Sequence, residues 1–298
     1  MATVPAQLQN VSLRATGAVA RRQFVSRVSR YVLLAASLVG IIVLAYLTYD
    51  TFNTGASRLS WDFLNSYPSR FAERAGLRSS ILGSAWVMGV TVLLAFPVAI
   101  GTAIWIEEFA PKNWLVTAVK LNLANLAGVP SIIYGILGLT IFVRFADLGP
   151  SIMAGALTLA LMIIPMTVIA AEEAIKQVPQ SIRDASLAVG ATHWQTVRSH
   201  VLPEAMPGIM TGIILAVSRA AGETAALIMI GAFTFIAFDN TSVKDDFTTV
   251  PIQIYNWTIR PSQQGFQVNA SAAIIVLMGA VLTLNLIAAL IRERFRRE

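Results

Sequence analysis

The chain has 298 residues, of which 56% are hydrophobic and only 13% are charged. A soluble globular domain carries about 25% charged residues, so the composition is typical of a membrane protein and leaves no length for a separate soluble enzyme domain. Cysteine is absent, which excludes disulfides and thiolate metal sites, and the two histidines cannot form a metal site alone. The net charge of +6 comes largely from basic residues beside apolar stretches, which argues against nucleic-acid binding.

Six apolar stretches are long enough to cross a bilayer, since a transmembrane helix needs about 20 apolar residues. We therefore predict an all-α polytopic membrane protein with one transmembrane domain over 31–291, preceded by a tail of residues 1–30 and followed by a basic tail, 292–298. The predicted helices lie at about 31–49, 81–106, 114–143, 151–171, 208–235 and 270–291.

Three of these stretches contain a proline, namely Pro97, Pro130 and Pro165. A proline inside a membrane helix frees a backbone carbonyl that a neighbouring helix must satisfy, so the pattern predicts a bundle. With both termini placed in the cytoplasm, thirteen lysines and arginines lie inside and seven outside. This bias predicts cytoplasmic N- and C-termini, although four arginines in the 50–78 loop keep it modest.

Residues 172–207 form a polar insert between the fourth and fifth apolar stretches. Its pattern predicts two short helices joined by a turn. Ser181 and Asp184 form a predicted capping pair for the first helix, and Gly190 is suited to the left-handed residue that ends it.

The second short helix begins at a predicted capping box of Thr192 and Gln195. We expect Leu202-Pro203 to end the unit before the next span. An amphipathic helix lying on the lipid surface is an alternative interpretation of the insert.

Gly128-Val129-Pro130-Ser131, followed by Tyr134, interrupts the third predicted helix near its middle. Broken helices at mid-membrane offer free backbone groups to a substrate. A structural kink and a pathway lining formed by Pro130, Ser131 and Tyr134 are both compatible with this pattern.

Arg219 and Glu223 lie inside the fifth apolar stretch, four residues apart. This spacing places both on one helix face, where they can pair and offset the cost of a charge in the membrane. A buried ion pair that joins two helices is one interpretation. The other is that Arg219 faces a translocation pathway, since its guanidinium matches phosphate or carboxylate oxygens, with Glu223 holding it until substrate arrives.

The insert resembles the cytoplasmic coupling motif of ABC-importer permeases, which reads E-A-A, three residues, Gly, and later I/V-x-L-P. An Asp stands here for the Glu and a Ser for the last Ala. The resemblance implies a type I ABC importer permease fold in which the 181–203 unit docks on a separate ATP-hydrolysing subunit. The matching residues are Asp184, Ala185, Ser186, Gly190, Leu202 and Pro203.

Three segments resemble permeases of phosphate-specific ABC importers: 125–135, 218–224 and 250–257. The third is similar to the A-type permease of that family. In the family, the arginine and glutamate that match Arg219 and Glu223 are associated with phosphate passage. The resemblance implies import of inorganic phosphate by alternating access across a bacterial or archaeal cytoplasmic (inner) membrane.

The same resemblance implies a heterodimer with a homologous, PstC-like permease. It also implies two copies of a PstB-like ATPase and a PstS-like extracytoplasmic phosphate-binding protein. ATP and Mg are expected on the ATPase, and no cofactor is expected on this chain, which lacks a G-x-x-x-x-G-K phosphate loop. Alternatives are an importer of another oxyanion (molybdate, sulfate or phosphonate), an ion-coupled transporter or channel, and a membrane enzyme. The coupling insert argues against the second, and the scarcity of ionisable residues in the membrane argues against the third.

Overall fold

The computed structural model describes residues 17–232, 235–260 and 264–297. Within these ranges the regular structure is helical, apart from one antiparallel bridge between Ser151 and Asp246. The α-helices in chain order are α1 Ala18–Gly55, α2 Trp61–Asn65, α3 Arg78–Ile104, α4 Trp114–Ala127, α5 Ser131–Gly138, α6 Ile152–Lys176, α7 Gln180–Ala188, α8 His193–Thr196, α9 Leu202–Ala221, α10 Ala225–Met229, α11 Val250–Thr258 and α12 Gln264–Arg297. Three π-helical turns extend α3, α5 and α8: Trp105–Phe109, Leu139–Phe145 and Val197–Val201.

Five helical segments of the described chain are long and apolar enough to cross a membrane. A sixth span results if α4 and α5, which meet at an angle of 102°, are taken together. The prediction of an all-α polytopic membrane protein is confirmed, with the third span present as a broken one. The five unbroken segments are Arg21–Arg58, Arg78–Phe109, Ile152–Lys176, His193–Ala221 and Gly265–Arg294.

Two helices extend beyond the predicted limits of the transmembrane domain. Helix α1 begins at Ala18, within the predicted 1–30 tail, and α12 continues through the predicted 292–298 tail to Arg297. Charged residues end an apolar stretch but not a helix, and residues 18–30 and 292–297 contain no glycine or proline that would stop it. Residues 1–16 and Glu298 lie outside the described residues.

Residues Met1–Asn53 and Thr54–Glu298 form separate compact units. In the described part of the first unit, α1 exposes its apolar side chains all round, among them Leu33 and Leu44 at 67% and 66%. A helix that is apolar on every side is suited to lipid rather than to water.

Helix α6 lies at the centre of the second unit and packs against α3, α4, α5 and α9. Two thirds of the residues in its most apolar stretch are buried inside the bundle. A Cβ added at Gly208 or Gly212 of α9 would lie 2.7 Å from Ala174 Cβ or 2.5 Å from Ala170 Cβ of α6. Small residues at this spacing let α9 approach α6 closely, as is common in membrane bundles.

The apolar segment from Val250 packs on the bundle as helix α11, at the end away from α7 and α8. Its Trp257 is 1% exposed, with ring centroids 6.0 Å from Phe63 and 6.4 Å from Phe266. This end of the fold therefore has an aromatic core of its own.

Candidate functional site

The 181–203 unit forms two short helices, as its sequence pattern predicts. Helix α7 begins at Gln180 after Pro179, without a side-chain cap, so the predicted Ser181 cap is wrong. Pro179 is the N-cap, with φ −58° and ψ 137° outside the helix, so α7 begins two residues before the start that a Ser181 cap predicts. Asp184 accepts a hydrogen bond from Gln180 Nε2 at 3.0 Å instead of capping the helix with Ser181.

The turn between α7 and α8 follows the predicted geometry. Gly190 has φ +89°, a left-handed conformation that favours glycine. Thr192 and Gln195 form the capping box of α8, with both reciprocal hydrogen bonds present. Ser186 Oγ lies 2.9 Å from Thr196 Oγ1, and both residues are buried. The small hydroxyl at the last position of the D-A-S motif therefore joins the two helices.

Leu202-Pro203 does not end the unit, and this prediction is wrong. The chain is helical from His193 to Ala221, with Leu202 and Pro203 in the first turn of α9. Proline lacks an N–H and clashes with the carbonyl of the preceding turn. The π-helical turn Val197–Val201 lies directly before Leu202-Pro203, and α8 joins α9 through it without a loop.

The outer surface of the unit carries both charge and apolar area. Asp184 and Ala185 are exposed. Leu187, Val189 and Trp194 are also exposed, at 43%, 86% and 52%. Apolar side chains beside charged ones are typical of a surface that contacts another protein.

A buried ion pair that the sequence analysis missed holds α7 in place. Arg183 Nη2 lies 2.6 Å from Glu108 Oε1, and the two side chains are 11% and 3% exposed. Arg183 also donates to the carbonyl oxygens of Val178 and Ile175, at 2.7 and 3.0 Å. Its guanidinium thereby joins α7 to the last turn of α6 and to the residues that follow it. His193 of α8 contacts the same segment, with Nε2 2.8 Å from the Glu108 carbonyl oxygen.

A second ion cluster joins α4 to α6. Lys120 Nζ lies 2.6 Å from Glu172 Oε1 and 3.5 Å from Glu107 Oε2. The signal in the sequence is the adjacent pair Glu107-Glu108 at the end of an apolar stretch, since two neighbouring carboxylates there require cationic partners.

The third span breaks at the predicted place. Helix α4 ends at Ala127, and α5 begins at Ser131 after Pro130. The buried Tyr134 hydroxyl donates to the Leu126 carbonyl oxygen at 2.7 Å and so bridges the break. Pro130 is exposed and Ser131 is half-buried. Both lie at the bend, where backbone groups leave the helix.

The fifth span also breaks, contrary to the prediction of one helix over 208–235. Helix α9 ends at Ala221, Gly222 caps it, and the short α10 begins only at Ala225. Glu223 therefore lies outside the helix that carries Arg219, and no described ion pair joins the two. Its Oε1 instead accepts a hydrogen bond from the Ala226 N–H at 3.2 Å, at the start of α10. The predicted resting pair is absent because the helical spacing it requires ends at Gly222.

Arg219 lies in the last turn of α9, where the helix dipole favours a cation. The residue is exposed, and its Nη1 is 3.8 Å from Met166 Sδ, a weak acceptor. The guanidinium is thus available to an anionic ligand.

The two broken spans contact each other. A Cβ added at Gly135 of α5 would lie 2.8 Å from the Ala226 Cα and the Met229 Cβ of α10. The structure thus brings residues of the predicted pathway set from both broken spans, including Tyr134, Arg219 and Glu223, into one region.

Glu223 also borders an apolar cavity of about 490 Å³ between α3, α9 and α12. It is the one charged residue among the described residues that line this cavity. The lining on the other elements includes Met88, Val217 and Leu277.

Comparison with known proteins identifies relatives over most of the chain. The family model described as "Binding-protein-dependent transport system inner membrane component" matches residues 95–297. The probable ABC transporter permease protein YqgI of Bacillus subtilis (strain 168) is 32% identical over 266 residues, which cover 86% of this chain and 90% of that protein. The phosphate transport system permease protein PstA 1 of Mycobacterium tuberculosis (strain CDC 1551 / Oshkosh) is 31% identical over 279 residues, 91% of this chain and 90% of that protein.

A solved structure shares the fold. A bacterial alginate ABC transporter in complex with an alginate pentasaccharide-bound periplasmic protein contains a chain that superposes with a TM-score of 0.62 at 17% identity. The superposition covers 88% of this chain and 94% of that chain. Likeness at this level of identity concerns the fold alone.

Proposed function

The chain belongs to the family of binding-protein-dependent transport system inner membrane components, and we propose that it is the permease subunit of an ATP-driven importer of inorganic phosphate. It has the fold of a type I ABC importer permease and is a multi-pass membrane protein. The relative named as a phosphate transport permease, 31% identical over nearly the whole chain, supports the choice of substrate.

Arg219 is the observation that carries the proposal. It is a permanently charged side chain placed within a span, exposed, and with a methionine sulfur as its described hydrogen-bond partner. A cation in the membrane is costly and is usually retained for a function. The guanidinium matches the oxygens of a phosphate in a two-point contact. We assign it to passage of the anion, with the break at Gly222 offering backbone groups beside it.

The exposed surfaces fit the partners of such an importer. Leu187, Val189 and Trp194 provide apolar area for docking on an ATPase subunit, which would hold the ATP and Mg. The α4–α5 surface exposes Ile132 and Ile136, both at 44%, and fits a homologous permease as the second half of a heterodimer. Two ATPase copies and an extracytoplasmic phosphate-binding protein complete the complex in the cytoplasmic membrane.

In this mechanism the binding protein delivers phosphate to the outer side of the heterodimer. ATP binding closes the two ATPase copies and displaces the 181–203 unit that docks on them. Because α8 continues directly into α9, this displacement reaches the helix that carries Arg219. Closure of the ATPases draws the docking units together and closes the cytoplasmic side of the pathway. After ATP hydrolysis the ATPases separate, the pathway opens toward the cytoplasm, and phosphate leaves the arginine.

The proposal is tested by phosphate uptake in a strain that lacks its own phosphate importer. The complete transporter is restored with this chain as wild type or with Arg219→Ala. We expect uptake with the wild-type chain and its loss with the variant, with both proteins equally abundant in the membrane. Equal uptake in the presence and absence of the wild-type chain would refute the assignment.

The same cells distinguish phosphate from other oxyanions. Labelled sulfate and molybdate are supplied in parallel with phosphate, since an arginine fork binds any tetrahedral oxyanion. Uptake of sulfate or molybdate instead of phosphate would support the proposal of an importer but show that its substrate is another oxyanion.

A further inference from the structure

Five charged residues at the α7 end of the bundle form two connected ion clusters, which we call the inner ion network. Its members are Glu107, Glu108, Lys120, Glu172 and Arg183. The two clusters share the π-helical turn Trp105–Phe109, since Glu107 pairs with Lys120 while its neighbour Glu108 pairs with Arg183.

The first cluster fixes α7 to the ends of α3 and α6. Glu108 is 3% exposed, and its carboxylate receives hydrogen bonds from Nε and Nη2 of Arg183, at 3.1 and 2.6 Å to Oε1. Such a two-point contact sets orientation as well as distance. With the bonds to the Ile175 and Val178 carbonyl oxygens, one guanidinium connects three segments of the chain.

The second cluster extends this connection to α4. Lys120 lies on α4, between Glu172 of α6 and Glu107 of the π-helical turn. Glu172 is 10% exposed in its side chain, so water screens its contact with Lys120 only weakly. Through the shared turn, α7 and α4 are held in one ionic assembly although 52 residues separate Ala127 from Gln180 along the chain.

We propose that Glu107 and Glu108 are positioning residues that transmit displacement of the ATPase-docking unit to α4 and so to the α4–α5 break. The inference rests on the proposed function. The covalent path from α8 moves α9 and Arg219, and the ionic path moves α4 and Tyr134. Because α5 and α10 touch at Gly135 and Ala226, the two broken spans must move together. The inner ion network couples the movement of α4 and α5 to that of α9 and α10.

The variants are Glu108→Gln and Glu107→Gln in the complete transporter, reconstituted into proteoliposomes. The matched control is Glu173→Gln, which removes a carboxylate from an exposed pair with Lys176 beside Glu172. Phosphate uptake and ATP hydrolysis are measured in the same vesicles. We expect both test variants to retain ATP hydrolysis and to lose about fivefold or more in phosphate moved per ATP. The control should stay within about twofold of wild type, as expected for an exposed pair.

A purely structural role would lower subunit abundance and both activities together. The Glu107 side chain is 23% exposed, against 3% for Glu108, so we expect Glu107→Gln to disturb folding less than Glu108→Gln. A normal ratio of phosphate to ATP in Glu107→Gln, at normal abundance, would overturn the proposal.

A distance measurement tests the connection without reference to phosphate. The chain has no cysteine, so spin labels can be placed at Ser181→Cys on α7 and Lys112→Cys before α4. We expect the label distance to stay constant between nucleotide-free and vanadate-trapped complexes, and to change between these states once Glu108→Gln is added. If the wild-type label distance stays constant but the transporter moves no phosphate, the phosphate assignment is refuted and the proposed ionic connection is still supported. A distance that changes in the wild type would refute the connection.

Discussion

Arg219 has no oxygen acceptor among the described residues, its contact being the Met166 sulfur at 3.8 Å. Its removal should therefore leave stability unchanged. We expect Arg219→Ala to lower phosphate uptake by about tenfold or more, the worth of a hydrogen bond to a charged group. Arg219→Lys should retain part of the uptake, because the charge remains and the two-point contact is lost.

The measurement is uptake normalised to subunit abundance. The control is Arg74→Ala, which removes an exposed arginine before α3, outside the α9 break and the 181–203 unit. A loss of subunit abundance in Arg219→Ala equal to the loss of uptake would indicate a structural arginine.

Glu223 caps α10 through its contact with the Ala226 N–H at 3.2 Å. Glutamine keeps the accepting oxygen without the charge, whereas alanine removes both. We expect Glu223→Gln to keep normal abundance and most of the uptake, and Glu223→Ala to cost about 1 kcal/mol of stability, as for other side-chain caps. Measuring the abundance and the phosphate uptake of both variants tests whether Glu223 acts as a helix cap or through its charge. An uptake in Glu223→Gln as low as in Arg219→Ala would restore the hypothesis of a charge latch.

The sequence identified Arg219 and Glu223 but not their relation. Their spacing predicts a pair only while the helix continues, and the helix ends at Gly222. Arg183 was overlooked for a related reason. Its partner Glu108 lies 75 residues away, and only the tertiary fold brings the two together.

Gly135 marks the place where two broken helices touch. A side chain there would overlap the Ala226 backbone, 2.8 Å from an ideal Cβ, whereas at Gly128 the nearest atom is 3.5 Å away. We expect Gly135→Val to destabilise the chain by about 1–3 kcal/mol, the usual cost of overpacking, and to reduce uptake. Gly128→Ala is the matched control and should behave as wild type. Thermal unfolding of the purified complex provides the measurement, and equal stability of the two variants would show that α5 and α10 can separate freely.

At the level of elements, the break at Pro130 was predictable and the break at Gly222 was not. Gly128-Val129-Pro130 combines a flexible glycine with a proline that lacks an N–H, so this break is visible in the sequence, whereas Pro97 and Pro165 alone leave α3 and α6 unbroken. Glycine is tolerated in membrane helices, and the i, i+4 spacing of Arg219 and Glu223 across Gly222 is itself typical of a continuing helix. The extent of α1 and α12 was underestimated because hydropathy reports the lipid boundary rather than the end of the helix.

At the level of the whole molecule, the modest excess of basic residues inside has a structural explanation. Two of the arginines counted outside hold the fold together. Arg58 donates to Asn269 Oδ1 at 3.0 Å and to the Ala75 carbonyl oxygen at 3.2 Å. Arg78 donates to Asp239 at 2.8 Å, a hydrogen bond that lowers the pKa of the Asp239 carboxyl. Arginines that stabilise the outer side of the fold reduce the excess of basic residues inside over outside, which is the signal that predicts orientation.

Single cysteines in this cysteine-free chain test the orientation directly. Ser199→Cys lies in the ATPase-docking unit, residues 181–203, and Lys244→Cys lies in the loop before α11; both positions are exposed. We expect a membrane-impermeant maleimide to label Lys244→Cys in intact cells and Ser199→Cys only after permeabilisation. The reverse pattern would place the docking unit outside the cell, where no ATP is available. The charge count would then be an artefact of the structural arginines, and the proposal of an ATP-driven importer would fall with it.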